Sequence, residues 1–152
     1  MNLLPLDTNP IIAIERLNAD YCDAVLRRDA PDWGALWTED SRWFFLGEWL
    51  EGNAAIVARW SAAMAGFPVV LHKIISQQID AQGDTGTGRV YLEEEIVTAD
   101  GDALRFVGVY HDRYQLSGDR WRYASRRFDL MYQGPGAIKA DGWIGCPTNV
   151  IY

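Results

Sequence analysis

VVLHKIISQQID, Val69 to Asp80, is the stretch where the chain changes its period. Apolar and β-branched residues crowd it, and from here onward hydrophobic side chains recur at every second position, the spacing of strands. Four strand-like runs follow, 69–80, 86–98, 104–116 and 121–132, and Ala99–Asp102 and Ser117–Asp119 carry the Gly and Asp of hairpin connections. Upstream the spacing is helical. Asn9-Pro10 supplies a cap and a first-turn proline, and Ile14, Leu17, Tyr21 and Val25 then fall on one face of a helix expected to end near Arg28. Asp29-Ala30-Pro31 restarts a short second helix with Trp33, Leu36 and Trp37 as its apolar face. Ser41 to Leu50 reads as a strand pair bent at Gly47, and Asn53 is expected to cap a third helix bearing Ile56, Val57, Trp60 and Met64. Helices first and a long meander after them give an α+β fold, three N-terminal helices packed in a curved antiparallel sheet.

At 152 residues the expectation is a single domain, 1–152, with its core over about 10–133 and a C-terminal tail, 134–152. Ile138, Trp143, Ile144 and Ile151 make that tail too apolar for a free end, so it is expected to serve as a lid or an interface. A net charge of −7 without a Lys/Arg block argues against nucleic acid as partner. No apolar run reaches the ~20 residues that cross a bilayer, and Met1–Asn9 lacks the pattern of a secretion signal, so the expected location is cytoplasmic and away from membranes. Cys22 and Cys146 have no metal-ligand spacing. GDTGTG, residues 83–88, leads into a strand rather than a helix N-terminus and reads as a turn, not a phosphate loop. Neither GxSxG nor HExxH occurs, which leaves nucleophilic hydrolysis and metal catalysis without sequence support.

Four residues combine reactive chemistry with a position on an apolar face. His72 alternates with Val70, Ile74 and Ser76; on a concave face it could exchange a proton near neutral pH, and otherwise it is a core histidine satisfied by backbone or water. Tyr21 lies in the helical stripe and needs a partner for its hydroxyl if buried. Glu94 shares its face with Val90, Leu92 and Ile96, where a carboxylate must be paired or protonated. Arg126 shares its face with Ala124, Phe128 and Leu130, and a salt bridge to Glu94 is the structural alternative to a catalytic role. His111 falls on the opposite phase from Phe106, Gly108 and Tyr110 and is expected in a solvated setting.

AIERLNADYCDAVLRRDAPDWGALWTEDSRW, Ala13 to Trp43, resembles without gaps the opening of the hexachlorocyclohexane dehydrochlorinases, in the SnoaL-like branch of the NTF2-like superfamily. TGTGRVYLEEEIVTADGD and VYHDRYQLSGDRWRYASRR are similar to the sheet of that branch's scytalone and bile-acid dehydratases. Coverage runs from about Pro10 to Gln133. The resemblance implies a cone-shaped barrel open at one end, a polar dyad at the bottom of an apolar pocket, no cofactor, and a homo-oligomer with a trimer favoured over a dimer. His72 then matches the family's catalytic histidine, Tyr21 a tyrosine, Glu94 a strand carboxylate and Arg126 an arginine of the site. The implied function is a cofactor-independent lyase or isomerase acting on a small hydrophobic, ring-containing substrate. The alternatives are a non-catalytic small-molecule-binding module and a structural β-type subunit of a dioxygenase. One departure stands out: the aspartate that partners the histidine in the family falls on Leu26. Asp23, rotated ~60° away around the helix, does not replace it. Glu94 supports His72 instead, or His72 acts unassisted, or the pocket binds without catalysing.

Overall fold

The protein is described here by a computed structural model over residues 9–136. The expectation for Trp143 and Ile144 in the tail lies outside the described residues, as does Cys146.

Helix α1, Pro10–Arg27, starts where Asn9 accepts a hydrogen bond from the Ile11 amide at 3.0 Å. It ends at Arg28, left-handed at φ 58°, whose guanidinium donates to the carbonyls of Met64 and Phe67. Those two carbonyls belong to the end of α3, Asn53–Ala65, and the segment after it, so Arg28 answers acceptors that a helix C-terminus leaves open. Helix α2 spans Ala30–Ala35 and is capped by Asp29. It is shorter than expected, because Trp37 already begins strand β1, Trp37–Phe45. Leu46 and Gly47, both at positive φ, turn β1 into β2, Glu48–Glu51. Asn53 is not the cap of α3; Gly52 takes that position. The Asn53 amide instead donates to the carbonyls of Gly34 and Trp37, tying α3 to the start of β1.

The meander follows as β3 (Val69–Gln82), β4 (Thr85–Val97), β5 (Ala103–Ser117) and β6 (Arg120–Gly134). The strand order is β2-β1-β6-β5-β4-β3, all antiparallel except β1 on β6, which is parallel. That pairing corrects the all-antiparallel expectation. It sets β1 beside the last strand, β6, so that the six-stranded sheet remains open with β2 and β3 as its edges. Bulges in β3 between Ile74 and Ser76, and along β5 and β6, bend and twist the sheet over α1. No helix among the described residues is long and apolar enough to cross a membrane.

The concave side is filled by aromatic rings: Trp33 stacks on Trp60 at 4.6 Å and meets Trp37, Trp43 and Tyr21 at 5.2–5.6 Å. Room for the helix comes from glycine. A Cβ at Gly86 would press on Ile14 of α1, and one at Gly88 would strike the Tyr114 ring, so the GDTGTG stretch is a turn followed by a strand thinned for packing. A Cβ at Gly108 would collide with the Phe128 ring and lie 2.8 Å from the Asp129 carbonyl oxygen. Gly108→Ala is therefore expected to cost about 1–3 kcal/mol in urea unfolding, because backbone and ring must both shift.

A second apolar cluster, Val107, Val109, Met131 and Tyr132, occupies the other face of the sheet. His111 lies on this side too, only 4% exposed, which corrects its solvated reading; Asp129 approaches it at 3.4 Å. Burial holds its imidazole below the ordinary value of 6.5; Asp129 and Asp112 oppose this, while Arg127 and Arg89 add to it. An unfolded chain therefore takes up this proton at higher pH than the folded one. Stability is expected to fall as pH drops below about 6.5 and to stop falling below the folded value. His111→Gln should flatten that slope; parallel thermal-melting profiles for the two proteins would contradict the assignment.

Candidate functional site

Antiparallel pairing sets His72 of β3 directly opposite Glu94 of β4, both pointing inward. His72 Nδ1 and Glu94 Oε2 are 2.8 Å apart. A carboxylate can only accept, so Nδ1 carries the hydrogen and Nε2 is the basic nitrogen of the neutral ring. The His72 side chain is 2% exposed and that of Glu94 29%, so the pair is buried at its base and open on the Glu94 side. The Tyr21 ring centre is 5.6 Å from the imidazole, and Tyr110 lies nearly parallel to it at 6.2 Å. Cys22, next to Tyr21 on α1, donates its thiol to the His72 carbonyl at 3.1 Å, which ties the helix to the strand beside the imidazole.

Ser76 does not share this face. The bulge at Ile75 shifts the phase, so Gln77, Ile79 and Ala81 turn inward while Ser76 is exposed. The shift serves α1: the Gln77 side chain accepts from Asn18 at 2.9 Å.

Arg126 is buried as expected, at 1% exposure, but its partner is Asp112 and not Glu94. The two sit opposite each other on β5 and β6, with Nε and Nη2 donating to the carboxylate at 2.8 and 2.7 Å. Asn18 Oδ1 accepts from Arg126 Nη2 and the Tyr123 hydroxyl, and the Tyr114 hydroxyl donates to Asp112 at 2.8 Å. The guanidinium carbon lies 3.8–4.4 Å from the ring centres of Tyr110, Tyr123 and Tyr21. Burial opposes the Arg126 charge, but Asp112 and the tyrosines outweigh it and hold the group cationic. Asp112, Asn18, Tyr110 and Tyr123 were not singled out from sequence. The available signal for Asp112 was its place two residues after Tyr110, on the phase of that ring, across the sheet from Arg126.

Leu26 lies one turn beyond Cys22 and is 46% exposed. The residue that supplies the carboxylate to His72 is Glu94, from the sheet rather than from α1. An open groove of about 800 Å³ runs from Asp80 to Gln115 at the far end of β3. Its Asp80 is eight residues from His72, about 26 Å along a strand, so it is separate from this constellation.

Residues 9–127 match the SnoaL-like domain. Rv2910c, an uncharacterised protein of Mycobacterium tuberculosis strain H37Rv, is 28% identical over 120 residues, 76% of this chain and 81% of that one. Among solved structures, a scytalone-dehydratase-like protein of Novosphingobium aromaticivorans DSM 12444 superposes with a TM-score of 0.78 at 16% identity, over 93% of this chain and 95% of the other. A hexachlorocyclohexane dehydrochlorinase, LinA type 2, gives 0.75 at 16% identity, over 92% and 95%. At such identities the likeness is one of fold, and it is the fold of this sheet wrapped on these helices. With most of its length, residues 9–127, matched by the SnoaL-like domain, the chain belongs to the SnoaL-like family.

Proposed function

We propose that the protein is a cofactor-independent lyase or isomerase that moves a proton on a small, hydrophobic, ring-containing molecule, as the names of its dehydratase-like and dehydrochlorinase structural neighbours suggest. The observation that carries the reading is the 2.8 Å contact between His72 Nδ1 and Glu94. It fixes the tautomer, presents Nε2 as a base, and places a negative charge where the imidazolium forms. In a dehydration, Nε2 takes the proton from carbon next to a carbonyl. The electron pair moves onto the carbonyl oxygen, which accepts a hydrogen bond from Tyr21. Collapse of the enolate then breaks the bond to the β-hydroxyl, which takes the proton from the His72 imidazolium and leaves as water, so that His72 is again a neutral base. Arg126, whose Nε and Nη2 are engaged by Asp112 and Asn18, supports this site from behind rather than touching the substrate. The ligand approaches from the Glu94 side, and a trimer is the assembly in which we propose that the site functions.

The test uses a panel of cyclic β-hydroxyketones, with absorbance of the conjugated enone as readout. Turnover above the buffer rate, lost in a folded His72→Ala variant, supports the reading. Equal turnover in the two proteins contradicts it, and a panel that binds unchanged favours the non-catalytic binding module.

A further inference from the structure

The apolar cluster on the outward face of the sheet, Val107, Val109, Met131 and Tyr132, is 1–6% exposed in the single chain, and His111 beside it 4%. An outward face without cover looks different in this same sheet: on β3, Val69 and Leu71 are 49% and 40% exposed. The helices do not supply the cover. They pack on the opposite face, α1 against β3 and β6, α2 and α3 against β1, and among the described residues every strand lies within the one sheet. Side chains that stand perpendicular to a single-layer sheet do not bury themselves to this degree, so another part of the chain lies over them.

We propose that residues 137–152 fold back over β5 and β6 and bury this cluster, as a strap on the outside of the sheet rather than a lid on the His72 site. The cluster reaches the point where the chain leaves β6: a Cβ at Gly134 would lie 2.6 Å from the Tyr132 hydroxyl oxygen, so the Tyr132 ring runs along the strand toward its end. Two residues later Gly136, at φ 61°, has the left-handed backbone with which an extended chain changes direction. The composition of the segment matches the face. It carries Ile138, Trp143, Ile144 and Ile151, and its only charged side chains are Lys139 and Asp141. Its length suffices as well. Extended, residues 137–152 reach about 50 Å at ~3.3 Å per residue, while neighbouring strands lie only ~5 Å apart, so one pass covers Val107 and Val109 together with Met131 and Tyr132. Residues 1–8 lead instead into α1, which packs on the helix side of the sheet.

The experiment measures nuclear Overhauser contacts in the full-length wild type, in a co-refolded mixture of isotope-labelled and unlabelled chains that separates contacts within a chain from contacts between chains. Contacts from the Trp143 and Ile144 side chains to the methyl groups of Val107, Val109 or Met131 within one chain are expected. Contacts made only between chains would give the face to a second copy, and contacts from residues 1–8 would give it to the N-terminal segment. Either result overturns the proposal, as do contacts of Trp143 and Ile144 with the inward Val70 and Ile74 in place of the outward cluster, or no contact with that cluster at all. Trypsin digestion of the full chain supplies a second readout. Cleavage after Lys139 requires the strap to lift, and Val109→Asp, which sets a carboxylate beneath it, is expected to speed that cleavage at least about tenfold. Wild-type cleavage at Lys139 as fast as in the variant would overturn the proposal too. The Overhauser contacts need no variant and decide the matter if Val109→Asp does not fold.

Discussion

Asp112→Ala is expected to lower stability by about 3–5 kcal/mol, because it leaves the fully buried Arg126 cation without its counter-charge. Asp112 also receives the Tyr114 hydroxyl, so a second buried donor loses its acceptor. Against a total of about 5–15 kcal/mol for an ordinary domain, this single change consumes a large share. Asp112→Asn, which keeps an acceptor oxygen, should cost less. The comparison is Asp23→Ala on α1. Its ion pair with Arg27 is just as short, 2.8 Å, but both side chains are about half exposed, and the expected change is within about 1 kcal/mol. Urea midpoints at unchanged m-values measure all three. An Asp112→Ala protein as stable as Asp23→Ala would show that the pair does not organise the interior.

The second large effect is catalytic. His72→Ala should lower turnover of a β-hydroxyketone by about 10²–10⁴-fold, the contribution of a positioned general base. Glu94→Gln should lower it less. The amide oxygen can still accept the Nδ1 hydrogen and hold the tautomer, but it no longer neutralises the imidazolium. Leu26→Asp, at the position of the family's aspartate, should change turnover less than Glu94→Gln, since its side chain is nearly half exposed and His72 already has a carboxylate. A Leu26→Asp rate gain larger than the Glu94→Gln loss would mean that the helix, not the sheet, is the proper source of the charge.

Local signals carried much of this architecture. Asn9-Pro10 marked the start of α1, alternating apolar residues marked four strands, and Gly101 and Gly118 marked turns that do require positive φ. His72 and Glu94 were each legible as polar residues on apolar faces. Their contact depends on the β3–β4 register, which the turn at Gly83 sets. What escaped was non-local or hung on one inserted residue. The bulge at Ile75 exposes Ser76 and turns Gln77 inward, and no composition rule distinguishes that run from a regular strand. Arg126 had two carboxylates within reach of its face, and only the pairing of β5 with β6 selects Asp112. The parallel contact of β1 with β6 joins segments about eighty residues apart in sequence, beyond any periodicity.

The most direct test of the proton-transfer claim is exchange of the α-protons of a cyclic ketone, 1-tetralone, with solvent deuterium, followed by proton NMR. The reaction needs only the base and the oxygen donor, with no leaving group and no knowledge of the natural substrate. The wild type is expected to accelerate exchange over buffer, Glu94→Gln to slow it, and a folded His72→Ala protein to return it to the buffer rate. Exchange by His72→Ala at the wild-type rate would contradict the assignment of His72 as the base.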